Sequence, residues 1–136
     1  MYIEEILDRV ERKWLQSVFE YVRDLFTKHP LPSHDESHHL RVWKYARFFL
    51  MEAVKNELII EENDIEVLLL SSLFHDTGLT ITKGEEHGKA SVEVFCSYLN
   101  ELNHSPEGFR EILFIIEKHD DKSYQQQHPM IKSSKL

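Results

Sequence analysis

Residues 65–74, IEVLLLSSLF, hold a single charged side chain, Glu66, and then give way at once to His75-Asp76. A helix apolar almost all round has no face to show to water, so it belongs in the middle of a bundle with other helices packed about it. Asn63-Asp64 is a plausible cap for its start. Thr77-Gly78 follows the pair, and glycine is a common stop just past a helix C-terminus. The carbonyl end of a helix favours positive charge. The spacing therefore predicts a buried helix that delivers an imidazole and a carboxylate to its cation-favouring end.

The rest of the chain supplies the surroundings. Only four Gly and four Pro interrupt long periodic stretches, and no run alternates as a strand would. Ile3, Ile6, Leu7, Val10, Trp14, Val18, Val22, Leu25 and Phe26 recur at helical spacing, which predicts an amphipathic helix over 2–27. Pro30 and Pro32 end it, and the polar, His-rich loop SHDESHH follows. A second helix is expected from about His38 to Asn56, with Val42, Tyr45, Ala46 and Phe49 inward and His38 one turn before Val42 on that stripe. Residues 77–86 read as a loop. A fourth helix is expected over about 87–102, with Val94, Phe95, Tyr98, Leu99 and Leu102 inward. Ser105-Pro106 is a cap and first-turn pair for a fifth, with Phe109, Ile112, Leu113, Ile116 and His119 on one face. The expected fold is an all-α bundle of about five helices in one domain spanning residues 1–136.

Size and charge narrow the function. A chain of 136 residues can bury one core. A net charge of −8 opposes binding to a nucleic-acid polymer or an anionic membrane surface. It leaves room for a small phosphorylated substrate, since a bound metal reverses the local sign. Cys96 is the sole cysteine, so there is no disulfide framework, and its apolar neighbours predict a packed thiol. No apolar run is long enough to span a membrane and no signal-peptide pattern opens the chain, so a cytoplasmic location is expected.

Three His-Asp pairs occur, at His34-Asp35, His75-Asp76 and His119-Asp120. Imidazole nitrogen and carboxylate oxygen are donors that divalent first-row metals accept. His38 and His87 open helices; His75, Asp76 and His119 close them. Each lies on or beside an apolar face, where side chains from separate helices can converge at one pole of a bundle.

The stretches HDESHHLRVWKYA (34–46), LFHDTG (73–78), EEHGKAS (85–91) and IIEKHD (115–120) together resemble the HD-domain superfamily of metal-dependent phosphohydrolases. The resemblance covers roughly residues 30–121 and is strongest to the small stand-alone HD hydrolases, some of which cleave nucleotides. It implies a metal site of His38, whose Arg41-Val42 follows as in the family, with His75 and Asp76. One divalent ion is implied, from among Mn, Mg, Co, Fe, Ni and Zn. The family's last ligand Asp lies on a further helix, yet residues 122–136 contain neither Asp nor Glu. The expectation is a chain truncated before that helix or a site lacking that ligand; Asp120 and Asp121 do not sit where the family pattern places it.

Other roles stay open at this point. His87 and His119 are candidates to protonate a leaving group or contact phosphate, to ligate a second metal as in some HD variants, or to be interior histidines. Arg41, one turn from His38, can reach a phosphate or pair with a carboxylate, and Lys83 can clamp a phosphate or simply be solvated. His34-Asp35 can orient His38 or decorate the loop. His39, His104 and His128 are expected at the surface and Trp14 in the core. The reading is a hydrolase that cleaves a nucleotide or other small phosphate ester through metal-activated water. The alternative is a degenerate HD domain that binds metal or nucleotide without turnover. A third reading, oxidation at a two-iron site using His87 and His119, ranks below both.

Overall fold

The computed structural model describes residues 2–31, 35–82 and 86–119, and among these there is no strand. Five α-helices among the described residues carry the architecture: α1 (Ile3–Lys28), α2 (Glu36–Lys55), α3 (Glu62–Phe74), α4 (His87–Glu101) and α5 (Arg110–Lys118). Two 3-10 turns, Thr77–Thr80 and Pro106–Phe109, connect them. The all-α bundle expected from periodicity is the fold observed.

α3 is the hub, as its composition requires. Ile65, Val67 and every residue from Leu69 to Phe74 are buried, and the helix packs against all four others. Its start differs from the expected Asn63-Asp64 cap. Glu61 is the N-cap, and a capping box forms in which the Glu61 peptide N–H donates to Asp64 Oδ2 at 2.9 Å. Asp64 thus serves as the reciprocal partner three residues in, the arrangement that satisfies two orphan donors at once.

α1 buries Ile6, Leu7, Val10, Trp14, Val18, Val22 and Phe26, most of the stripe its spacing predicts. Its polar edges are tied to both neighbours. Glu66 accepts from Trp14 Nε1 at 3.0 Å and pairs with Lys13 at 3.3 Å, joining α1 to α3. Glu11 accepts from Trp43 Nε1 at 2.8 Å and from Arg47 at 3.1 Å, joining α1 to α2. The Trp bonds matter most, because an indole N–H taken from water without an acceptor is costly. Below these ties, Phe74 meets Phe95 at 4.8 Å and Tyr98 at 5.3 Å between ring centroids, which locks α3 onto α4.

α2 is rotated from the expected setting. His39, Val42, Trp43, Leu50 and Ala53 are buried, whereas Tyr45 and Phe49 are 64% and 60% exposed. The helix carries apolar side chains round more than half its girth, so two stripes satisfy the same periodicity, and contact with α1 and α3 selects one. His39, expected at the surface, is fully buried.

Smaller corrections fall at the ends. Leu102, expected inward, is 41% exposed past the end of α4. The fifth helix begins as a 3-10 turn, with Ser105 Oγ accepting from the Glu107 N–H at 3.3 Å, before α5 proper starts at Arg110. No helix among the described residues is long and apolar enough to cross a membrane.

Candidate metal centre

Two helix starts and two helix ends meet at one pole. His38 stands in the first turn of α2 and His87 opens α4, while His75 follows α3 and His119 follows α5. Asp35 fixes the first of these: it is the N-cap of α2, and its Oδ1 accepts from the His38 peptide N–H at 3.0 Å. It acts on the backbone of His38 and so sets where the helix, and with it the imidazole, begins.

His75 and His119 share one local device. The Nδ1–H of His75 donates to the Ser72 carbonyl at 2.9 Å, and that of His119 donates to the Ile116 carbonyl at 2.6 Å. A carbonyl can only accept, so Nδ1 carries the proton in each ring and Nε2 is the atom left to face the site. Both rings are buried, His75 to 8% exposure and His119 to 3%.

Asp76 stands between two pairs of histidines. Its Oδ2 lies 3.0 Å from His75 Nε2 and 3.8 Å from His38 Nε2. Its Oδ1 lies 3.1 Å from His119 Nε2 and 3.3 Å from His87 Nε2, and those two ring nitrogens are 3.1 Å apart. Burial alone raises the Asp76 carboxyl, but hydrogen bonds from His119, His75 and His87 outweigh it and hold the group far below the ordinary carboxylate range. In His75 and His119, whose Nδ1 carries a proton, Nε2 offers a lone pair or a second proton. Lone pairs and carboxylate oxygens this close repel unless positive charge lies among them, either protons or a metal ion. The donor set of ring nitrogens and a carboxylate is one that zinc, manganese, iron and related ions accept. The donors form two triads that share Asp76: His38, His75 and Asp76, and Asp76, His87 and His119.

Gly78, expected as a helix stop, and Gly88 and Ser91, given no role from sequence, hold this geometry. Gly78 does not have the positive φ of a helix stop. A Cβ there would collide with the His87 carbonyl and the Ser91 backbone nitrogen, so its lack of a side chain lets α4 lie against the turn after the His-Asp pair. Ser91 Oγ closes that contact, accepting from the Gly78 N–H at 2.7 Å and donating to the His75 carbonyl at 2.9 Å. Gly88, beside His87, lies so near α5 that a Cβ would strike the Glu117 carbonyl. The signal for all three was present in EEHGKAS and HDTG, but a close crossing of helices is a tertiary fact.

Of the other candidates, Arg41 is exposed and forms no ion pair with the described carboxylates; the structural pair considered from sequence is not made with them. Lys83, His34, Asp120, Asp121 and His128 lie outside the described residues. His104 is exposed, with its ring 5.9 Å from that of Trp14. Burial, followed by the charge of Glu93, raises the Cys96 thiol, which suits a packing role.

Among the histidines, His39 is the one whose expected place at the surface is overturned. Its ring lies 5.1 Å from Phe26 and meets His75 edge-on at 5.4 Å, and neither nitrogen has a partner among the described residues. Burial, then the neighbouring His75, pushes its pKa down to about 3. It therefore packs as a neutral ring behind the ligand candidate His75.

A helical bundle whose buried central helix ends in a His-Asp pair, ringed by histidines from three other helices, is an HD-like domain. Residues 18–129 match the HD-CE family, and the chain belongs to it. No curated protein and no solved structure matches the chain.

Proposed function

We propose that this chain is a metal-dependent phosphohydrolase acting on a nucleotide or another small phosphate ester. The observation that carries the reading is the Asp76 carboxylate, each oxygen of which faces two histidine Nε2 atoms. His38, His75 and Asp76 Oδ2 would hold one divalent ion. Bound there, the ion would supply a Lewis-acid contact to a phosphoryl oxygen and acidify water. The chain's own residues do the rest. The Ser72 and Ile116 carbonyls keep Nε2 of His75 and His119 turned inward. His87 and His119, on the Oδ1 side, hold a proton between their facing nitrogens and give it to the leaving oxygen as the P–O bond breaks and water adds to phosphorus. Arg41 and Lys83 would offset substrate charge.

A second reading has its own support. His87, His119 and Asp76 Oδ1 are themselves a set of three donors, so they suit a second ion bridged to the first by Asp76, as in two-metal sites. Metal content per chain after manganese loading and desalting tests both. One equivalent supports the proton-bearing pair and two support the bridged site. No retained metal, with no release of phosphate from a panel of nucleotides and sugar phosphates, would leave only a non-catalytic module.

A further inference from the structure

Tyr45 and Phe49 are apolar rings that α2 leaves in solvent, at 64% and 60% exposure, and Phe48 beside them is 64% exposed. Their place on the helix is informative. At 100° per residue, Tyr45 returns to within about 20° of the direction of His38, and Phe49 to within about 20° on the other side. Their Cα atoms lie ~10 Å and ~16 Å further along the axis. A row of rings thus starts at the candidate ligand His38 and runs out onto the surface. Arg41 lies between His38 and Tyr45, exposed and without an ion pair to the described carboxylates, and Lys44 is exposed on the same helix. The chain carries a net charge of −8, yet of the four cations on α2, Arg47 pairs with Asp8 and Glu11 and Lys55 with Glu52, while Arg41 and Lys44 stay exposed.

We propose that this row binds the ring of the substrate: a nucleotide whose phosphate lies at Asp76, with Arg41 beside the sugar-phosphate and the base stacked on Tyr45. The inference rests on the hydrolase reading and adds the residue that selects the substrate class. Continuity with the metal centre favours this occupant, as does Arg41, an exposed cation one helical turn from His38. The offset from His38 to Tyr45 is of the order of a nucleotide's length from phosphate to base. A partner protein lying along the row would instead cover His38 and Arg41 and close the centre.

The test uses manganese-loaded protein and two probes that cannot be hydrolysed, the phosphonate analogues of AMP and of ribose 5-phosphate, with binding read by calorimetry. Base–aromatic stacking predicts that the AMP analogue binds about five- to hundredfold tighter. Tyr45→Ala should remove most of that preference and leave the ribose analogue's affinity unchanged, while Tyr45→Phe and Tyr45→Trp keep the preference. Equal affinity for the two probes, or equal weakening of both by Tyr45→Ala, overturns the inference and leaves the hydrolase reading standing. Binding of neither probe overturns the inference, and phosphate release from the wider panel then decides the hydrolase reading. Self-association of the wild-type protein that Tyr45→Ala abolishes would assign the row to a second copy instead. A preserved ring preference without turnover of AMP itself would keep this inference and remove catalysis.

Discussion

The Nε2 atoms of His87 and His119 lie 3.1 Å apart because Gly88 lets α4 rest on the backbone of α5 at the Glu117 carbonyl. Neither histidine sets that distance. It is set by a missing side chain on the residue next to one of them.

Gly88→Ala should therefore destabilise the protein, although glycine to alanine inside a helix ordinarily gains about 1 kcal/mol. The added methyl meets a carbonyl of α5 that has no room to yield, and overpacking of this kind costs about 1–3 kcal/mol. Thermal melts in chelator would show a lowered Tm. Metal content should fall at the His87–His119 side, whereas an unchanged Tm would mean that α4 and α5 do not cross this closely.

Ser91 carries two buried hydrogen bonds, one to each side of the Asp76 turn. Ser91→Ala removes both and strands the Gly78 N–H in the interior. A buried donor left without an acceptor costs about 1–3 kcal/mol. Denaturant unfolding should show a shifted midpoint with an unchanged slope, and metal affinity should weaken because the turn holding Asp76 loses its tie to α4.

His39 gives the protein an acid-sensitive term with a definite sign. Its folded pKa of about 3 lies below the ordinary 6.5, so between those values the unfolded chain binds a proton that the folded chain refuses. Stability then falls as pH is lowered through 6.5, by about 1.4 kcal/mol per pH unit, until about pH 3. His39→Phe keeps the ring and removes the titration. In metal-free protein the two should differ little at pH 7, and the variant should be the more stable at pH 5. Parallel stability curves from pH 7 to pH 5 would count against a neutral buried His39.

Asp76→Asn tests the shared carboxylate. A ligand that binds only the folded state raises apparent stability in proportion to the logarithm of its concentration over Kd. Manganese should raise the Tm of the wild-type protein and do little for Asp76→Asn, because both donor triads lose their only carboxylate. His38→Ala should remove less of the metal-dependent shift than Asp76→Asn, since it touches one triad. An equal effect of the two would argue that a single ion depends on every donor.

Much of this was legible in advance. The ten residues before His75 announced a central helix, and they are buried almost throughout. The positions of His38, His75, Asp76, His87 and His119 at helix ends followed from local periodicity and capping, and all five converge. The misreadings cluster on α2. From Val42, which is buried as expected, the stripe can continue through Tyr45 and Phe49 or through His39, Trp43, Leu50 and Ala53, and hydrophobic spacing ranks neither above the other.

The sequence by itself determined which segments are helical, where they stop, and that a His-Asp pair closes the buried one, because propensity, periodicity and capping act within a few residues of the chain. Only the tertiary structure decided which way α2 turns, that His39 goes in and Tyr45 out, and that Asp76 stands between two pairs of imidazoles. These depend on the contact of surfaces far apart in sequence. There a glycine against a carbonyl, or an indole N–H against Glu11, selects among rotations that the local pattern leaves equal.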